Sequence, residues 1–270
     1  MIARLCRGLF WGAVVVGSSA AGLDAVADGP GDASRRQAGF NHLGNVRRTG
    51  FTPGEFKPPY HLAWTYRFAD KPRPAWREPA WETQRIDMDY AFPLASDGRT
   101  VYVATSSDHA LHALDLDSGQ WRWRFFTEGP LRLSPTVDGG RVYFSSDDGG
   151  VYCLDGATGG LLWRHRPELP DERLIGNEQM IHRRPARSGV LVDGDRAYTT
   201  FGMWSSEGVV VACLDTETGE VVWRNDSSGT RYMTQPHYEA MGGVSPQGQL
   251  ALCGDVLVVP CGRAAPAFLD

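Results

Sequence analysis

The sequence predicts an all-β fold, a β-propeller of four-stranded blades, from two observations. A motif of the form Leu-Asp-x-x-[Ser/Thr]-Gly-x-x-x-Trp occurs three times in the chain. The composition includes 32 Gly and 17 Pro among 270 residues, with 11% aromatic residues, which is typical of many short strands joined by tight turns. Repetition of one motif predicts stacked units that share a core. The repeated positions are Asp115, Gly119, Trp123, Asp155, Gly159, Trp163, Asp215, Gly219 and Trp223.

Each residue type in the motif suits a β-hairpin followed by an outer strand. The Asp side chain can accept a hydrogen bond from the backbone two residues later, and Gly supplies a positive φ. A buried Trp removes about 200 Å² from water, which one hairpin cannot achieve without a neighbouring repeat. The three motif aspartates are therefore interpreted as structural and not as a catalytic pair.

Strand alternation predicts which residues accompany the motif Trp on the inward face. In the first copy, Trp121, Trp123 and Phe125 are expected to share that face. In the third copy, Val221 is expected to share it with Trp223.

The spacing of the motif predicts the size of a blade. Trp123 and Trp163 are 40 residues apart, within the range of a four-stranded propeller blade. The next interval, to Trp223, is 60 residues. Its extra length falls mainly in residues 167–187, a charged insertion that is expected in loops on one face of the ring.

A fourth, incomplete unit sets the predicted number of blades. It has a turn at Gly254-Asp255 and ends at Leu269-Asp270, without the motif Gly and Trp. Leu62 to Phe68 resembles a Trp strand without the hairpin that should precede it. We therefore expect about three and a half blades, an open arc of a larger ring in a truncated product. A four-blade ring closed by the strand at 62–68 is the alternative.

The N-terminus has the features of a secretory signal. Arg4 and Arg7 precede an apolar run from Leu9 to Val16, and Ala25-Val26-Ala27 is a cleavage pattern. A membrane anchor is the alternative, although the run is short for a bilayer span. The predicted domains are a signal peptide at 1–27, a linker and lead-in at 28–60, and propeller repeats at 61–270. The expected location is periplasmic or extracellular in a bacterium.

The charge excludes one class of partner. The chain has a formal net charge of −5, and no basic stretch argues for nucleic acid. No membrane span is expected after signal cleavage. The expected partner is a protein or a small molecule on one face of the propeller.

On the repeated motif, the chain resembles the PQQ-like β-propeller repeat proteins of the quinoprotein-like superfamily, from about Leu62 to Asp270. Gly176-Asn177-Glu178 and Gln235-Pro236-His237 are also similar to segments of exported bacterial proteins in this group. The resemblance implies the fold. It implies PQQ and Ca²⁺ only as candidate cofactors, since many proteins with this repeat bind neither.

The resemblance also implies what a quinone site would need. Cofactor-binding members stack the quinone between a Trp and two adjacent cysteines, and they hold Ca²⁺ with a Glu, an Asn and an Asp. A further Asp acts as the base. This sequence has no adjacent cysteine pair. Cys153 and Cys213 occupy one repeat position and are interpreted as small core residues. Cys253 and Cys261 flank a hairpin, where a disulfide is the alternative to free thiols.

The sequence also offers few oxygen and nitrogen side chains that could bind a metal ion. Asp171, Asn177 and Glu178 share the insertion and could form a Ca²⁺ site, but a solvated charged loop is preferred. His182 and His237 are too isolated to be assigned as metal ligands. No metal site and no catalytic residue is therefore predicted.

The sequence is compatible with three functions. The first is an exported non-catalytic propeller that acts as a scaffold or binding protein. The second is a fragment of a quinone-dependent dehydrogenase. The third is a carbohydrate-binding propeller that uses Trp76, Trp81 and Trp204.

A ligand site, if one exists, is expected in or after the loops between blades, where propellers bind. The residues predicted there are Arg184, Gln235 and His237.

Overall fold

The computed structural model describes residues 13–18 and 40–270, except 51–57, 74–90, 169, 177–178, 229–230, 235–238 and 263–264. Residues 28–39 of the predicted linker and lead-in lie outside this range, as do Trp76, Trp81, Gln235 and His237. The described regular elements are strands and two short 3-10 helices, His42–Gly44 and Ser205–Glu207. No helix in the described ranges has the length and apolar character to cross a membrane.

The first sheet in the described ranges has two antiparallel strands. Its strands are β1 (Ala13–Ser18) and β2 (His61–Arg67). Strand β1 lies inside the predicted signal peptide. Cleavage after Ala27 stays a prediction, and it would remove the partner of β2.

Two antiparallel four-stranded sheets follow, in simple up-and-down order. The first blade contains β3 (Leu94–Ser96), β4 (Thr100–Ala104), β5 (Ala110–Asp115) and β6 (Trp121–Phe126). The second blade contains β7 (Thr136–Asp138), β8 (Arg141–Ser145), β9 (Val151–Asp155) and β10 (Leu161–His165). Each repeat therefore builds one blade, with the motif Trp on the outermost strand.

The insertion after the second blade is a β-hairpin and not an irregular loop. Its strands are β11 (Arg173–Gly176) and β12 (Gln179–His182). After a short strand β13 (Ser188–Gly189), the third blade contains β14 (Leu191–Asp193), β15 (Arg196–Phe201), β16 (Val210–Asp215) and β17 (Val221–Asn225).

A second inserted hairpin precedes the last sheet. It consists of β18 (Arg231–Thr234) and β19 (Glu239–Gly242). Strand β20 (Gly248–Gln249) pairs in parallel with β13. The partial fourth blade contains β21 (Ala251–Cys253), β22 (Val256–Val259) and β23 (Ala267–Leu269). The prediction of about three and a half propeller blades in an open arc is confirmed.

The blades are held together by repeated docking of tryptophan onto the next turn. Trp123 lies over Gly159 of the second blade, and its Nε1 donates to the Gly156 carbonyl at 3.0 Å. Trp163 lies over Gly219 in the same way and donates to the Thr216 carbonyl at 3.0 Å. The fixed spacing in the motif thus positions each indole on the neighbouring blade.

The lone strand β2 uses the same contact. Trp64 lies over Gly119 and donates through Nε1 to the Leu116 carbonyl at 2.7 Å. The interpretation of 62–68 as a Trp strand that lacks its own hairpin agrees with this contact. Apolar side chains fill each junction between successive blades, so the two middle strands of the first, second and third sheets are largely buried on both faces.

The predicted inward face of the outer strands is wrong at its first residue. Trp121 pairs with Leu114 and Trp123 pairs with Ala113, so the register shifts by a β-bulge between them. The bulge turns Trp121 to the side of His112, whose ring centroid lies 4.9 Å away. The third blade has the same shift, with Val221 opposite Leu214 and Trp223 opposite Cys213. Simple alternation fails here because a bulge adds one residue to one strand.

The two faces of the propeller differ in what they carry. The turn face carries the hairpin turns within blades, at 97–99, 116–120, 138–140, 156–160, 193–195 and 216–220. The loop face carries the connections between blades and the remaining hairpin loops, at 105–109, 127–135, 146–150, 166–187 and 202–209. The hairpin of β11 and β12 therefore stands on the loop face, as the insertion was expected to lie on one face.

Replacing Gly159 with alanine tests the docking contact. Gly159 has φ +73°, and a Cβ there would lie 2.5 Å from Trp123 Cδ2. We expect Gly159→Ala to lower the free energy of unfolding by about 2–4 kcal/mol, from backbone strain and overpacking together. Gly194→Ala is the control, since Gly194 has φ +62° and open space around it, and it should cost about 1–2 kcal/mol. Equal losses in urea unfolding would contradict the proposed role of the indole.

Candidate functional site

The candidate site lies on the loop face, where the inner strands of the second and third blades begin. Arg132 and Arg187 occupy equivalent positions, each six residues before the Asp of an inner turn, Asp138 or Asp193. Both guanidinium groups meet the carboxylate of Asp147, which belongs to the β8–β9 loop. We call Arg132, Asp147 and Arg187 the axial ion cluster.

The geometry of the cluster is close. Arg132 Nε lies 2.6 Å from Asp147 Oδ2, and Arg187 Nε lies 2.8 Å from Asp147 Oδ1. No more than 5% of any of the three side chains is exposed. Arg132 also donates through Nη1 to the Arg73 carbonyl at 2.6 Å. A buried carboxylate with both oxygens paired to arginines joins neighbouring blades, because separating the charges would leave them desolvated.

Polar groups surround the cluster on the same face. Gln179, at the start of β12, donates through Nε2 to the Ser106 carbonyl at 3.2 Å. Burial lowers the pKa of His109 below its usual value, and a hydrogen bond with Gln179 opposes this effect. The imidazole of His109 is therefore neutral at pH 7. The hairpin thus contacts the first blade as well as the second.

His182 and Asp171 lie at the base of the hairpin. The His182 ring packs on Gly149, where a Cβ would lie 2.8 Å from the ring. Its Nδ1 accepts from the Arg184 N–H at 3.0 Å. Arg173 donates a hydrogen bond to the carboxylate of Asp171. This hydrogen bond is the main reason that the pKa of Asp171 lies below its usual value.

The structure places the predicted site residue Arg184 on the loop face, in a structural contact. Its Nε donates to the Glu207 carbonyl at 2.8 Å, which joins the hairpin to the third blade. Gln235 and His237 lie outside the described residues, so the predicted grouping of the three stays a prediction. The axial ion cluster was missed by sequence reasoning. The equivalent positions of Arg132 and Arg187 relative to the inner turns were the available signal.

The motif aspartates organise their own turns. Asp155 Oδ1 accepts from the backbone N–H and the hydroxyl of Thr158, both at 2.8 Å. Asp115 and Asp215 make the equivalent contacts with Ser118 and Thr218. These contacts match the turn chemistry expected for an Asp followed by Ser or Thr.

A cleft of about 390 Å³ lies on the turn face between the second and third blades. Arg141 crosses it and donates through Nη1 to the Thr216 carbonyl at 2.7 Å. The cleft is lined by Asp138, Asp195, Asp215 and Glu217 among others. Its residues belong to the repeated turns, so the cleft results from the packing of two blades.

Asp171 is the one described residue of the predicted Ca²⁺ set, and its carboxylate already contacts arginine side chains. Within the described ranges, no group of three or more His, Cys, Asp or Glu side chains is close enough to hold a metal. Asp171 lies 3.4 Å from Arg173 Nε and 3.9 Å from Arg166 Nη1, contacts that compete with a cation. Asn177 and Glu178 lie outside the described residues.

The four cysteines in the described ranges are free thiols, and two of them are buried and unreactive. Burial raises the pKa of Cys153 to about 12 and that of Cys213 to about 11. Neither forms a thiolate at neutral pH. Cys253 pairs with Val256 across its hairpin, and Cys261 lies beyond the end of β22. Of the aromatic residues predicted for a carbohydrate site, Trp204 is half-buried, while Trp76 and Trp81 lie outside the described residues.

Comparison with known proteins shows which proteins have similar repeats. The PQQ_2 family model, described as outer membrane protein assembly factor BamB, matches residues 69–184. A polyvinylalcohol dehydrogenase of Pseudomonas sp is 27% identical over 131 residues, 47% of this chain and 19% of that protein. The dehydrogenase subunit of alcohol dehydrogenase (quinone) from Komagataeibacter europaeus is 30% identical over 147 residues, with 49% and 19% covered. The chain thus spans about a fifth of the length of these curated relatives.

Solved structures also align with part of this chain. BamB from Moraxella catarrhalis aligns with a TM-score of 0.47 and 14% identity, over 77% of this chain and 64% of that one. Quinohemoprotein alcohol dehydrogenase ADHIIG from Pseudomonas putida HK5 aligns with a TM-score of 0.47 and 17% identity, over 78% and 36%. Together with the repeated motif and the docked tryptophans, the match over residues 69–184 shows that this region is similar to the PQQ-like β-propeller repeats.

Proposed function

We propose that this chain is the propeller part of an exported, non-catalytic binding protein, and that its loop face binds a protein partner. The supporting observation is the hairpin of β11 and β12, which projects an apolar pair from that face. Ile175 and Met180 are directly opposite each other in the hairpin and are 75% and 51% exposed. Large exposed apolar side chains that lie together are typical of interaction sites.

Charged groups around the hairpin support a protein partner over a small apolar ligand. Arg173 contacts Glu128 at 2.6 Å, and Arg183 contacts Glu172 at 3.0 Å. Ion pairs of this kind form a polar rim beside the apolar pair, as in interfaces between proteins. The axial ion cluster supports the non-catalytic part of the proposal, because the carboxylate of Asp147 is already paired with two arginines.

The test is capture of a partner by the purified chain from a periplasmic extract, with and without a charge on the hairpin. We expect Ile175→Asp with Met180→Asp to reduce capture at least tenfold, since a desolvated charge at a contact costs several kcal/mol. Leu161→Asp with Leu162→Asp is the matched control, because both residues are exposed on the outer strand β10, away from the hairpin. Equal capture by both double variants would contradict the proposed surface.

A second candidate is a piece of a quinone-dependent dehydrogenase, which the curated relatives favour. The same purified chain decides between the two. If it binds PQQ tightly in the presence of Ca²⁺ and oxidises an alcohol with a dye acceptor, the dehydrogenase is correct. If PQQ stays free in solution while the hairpin variant loses its partner, the binding protein is correct.

A further inference from the structure

Residues 40–50 form a short segment that crosses the inner strands of the blades. Phe40 makes an antiparallel bridge with Ser96 of β3, with N–H to carbonyl distances of 2.6 and 2.9 Å. Asn41 pairs with the backbone of Val137 in β7, where its Oδ1 accepts at 2.6 Å and its Nδ2 donates at 2.9 Å. Two adjacent residues thus contact the first and second blades. We call residues 40–50 the axial strap.

The far end of the strap reaches the third and fourth blades. Arg47 makes a paired contact with the carboxylate of Asp193, at 2.9 and 3.0 Å. Arg48 donates to the carbonyl of Val190 at 2.6 Å and to that of Leu250. Val190 and Leu250 come directly before the inner strands β14 and β21. One strap therefore contacts four successive inner strands.

Arg48 is an unusual residue for this position. It is 6% exposed, and its described acceptors are two carbonyls and the hydroxyl of Thr136, all neutral. Burial lowers its pKa to about 9, so it remains charged at pH 7. Its φ of +58° lies in the left-handed region, which is strained for a residue with a side chain. A buried charge without a carboxylate is costly, and the fan of donors on a guanidinium can join several carbonyls at once.

We propose that the axial strap is a built-in brace, anchored by Arg48, that fixes the spacing of four inner strands and occupies the turn-face end of the propeller axis. The strap contacts Ser96, Val137 and Asp193, which lie at or next to the turn-face ends of β3, β7 and β14, and these contacts place it toward that face. A ligand or partner then reaches the axis from the loop face, where the axial ion cluster and the hairpin lie. The proposal concerns residues 40–50 alone and does not depend on the identity of any partner.

Hydrogen exchange measured by mass spectrometry on the full chain tests the brace. We expect Arg48→Met to speed exchange at least tenfold at β7, β14 and β21, since an inner strand that loses its contacts opens locally. The outer strands β6, β10 and β17 should be unchanged. Arg48→Lys keeps the charge and some donors, and it should have an intermediate effect. Arg47→Met is the control, because Arg47 is 54% exposed and its ion pair is on the surface.

A second variant keeps the proposal testable if Arg48→Met does not fold. Asn41→Ala removes the acceptor of the Val137 N–H without leaving a buried charge, so exchange of that single amide should accelerate. Uniform acceleration across inner and outer strands, or an unchanged Val137 amide in Asn41→Ala, would overturn the brace.

Discussion

Replacing Trp163 with alanine is expected to lower the free energy of unfolding by about 3–5 kcal/mol, the range for large aromatic truncations in a core. Trp163 is 7% exposed and belongs to the core between the second and third blades. The variant loses the packing on Gly219 and the hydrogen bond to the Thr216 carbonyl. Urea unfolding followed by fluorescence or circular dichroism measures the loss.

Two further variants separate the contributions of burial and of the hydrogen bond to this loss of stability. Trp223 has the same place in the motif but is 37% exposed, so Trp223→Ala should cost about 1 kcal/mol, as expected nearer the surface. Trp163→Phe keeps an aromatic ring but removes the indole N–H. Loss of the hydrogen bond should therefore account for about 0.5–1.5 kcal/mol of its decrease in the free energy of unfolding. If Trp163→Ala and Trp223→Ala cost the same, docking of the indole on the next turn does not hold the blades together.

Removing the carboxylate of the axial ion cluster should have an effect of similar size. Asp147→Ala leaves Arg132 and Arg187 buried without the carboxylate that both contact. Breaking a buried pair in this way costs about 3–5 kcal/mol, chiefly because the remaining charge is desolvated. Thermal unfolding and urea unfolding should both report a destabilised protein with the secondary structure of the parent.

The control for this prediction is a carboxylate in a similar setting at the surface. Asp171 also contacts arginines but its side chain is 55% exposed, so Asp171→Ala should cost about 0–1 kcal/mol. The triple variant Arg132→Met, Asp147→Leu and Arg187→Met should recover much of the stability that Asp147→Ala loses. A triple variant as unstable as Asp147→Ala would show that the cluster is more than an exchangeable ion pair.

The fold was predictable because its determinants are local in sequence. The distance from Asp155 to Gly159 and then to Trp163 specifies a turn and an outer strand, and three copies indicate stacking. The prediction that was wrong concerned the register of the outer strand against its neighbour. The bulge after Trp121 depends on how β6 pairs with β5, and alternation along one strand contains no information about it.

The candidate site was harder to predict from the sequence because its contacts join residues that are far apart in the chain. Asp147 and Arg187 are 40 residues apart, and Arg48 and Leu250 are 202 apart. Nothing in the local pattern around Arg48 marks it as buried. The position of Arg184 in a loop between blades followed from the repeat spacing, but its contact with the Glu207 carbonyl could not be derived in this way.

The bulge at the start of each outer strand has a consequence for solubility. The outer strands β10 and β17 form the rim of the propeller, with Leu161, Leu162, Val221 and Val222 exposed near the bulge. A flat, apolar edge strand invites pairing with the same edge of another molecule, and this leads to aggregation. A bulge bends the edge and breaks the regular spacing of its backbone groups. The irregularity that seats the indole therefore also makes the rim a poor template for intermolecular sheets.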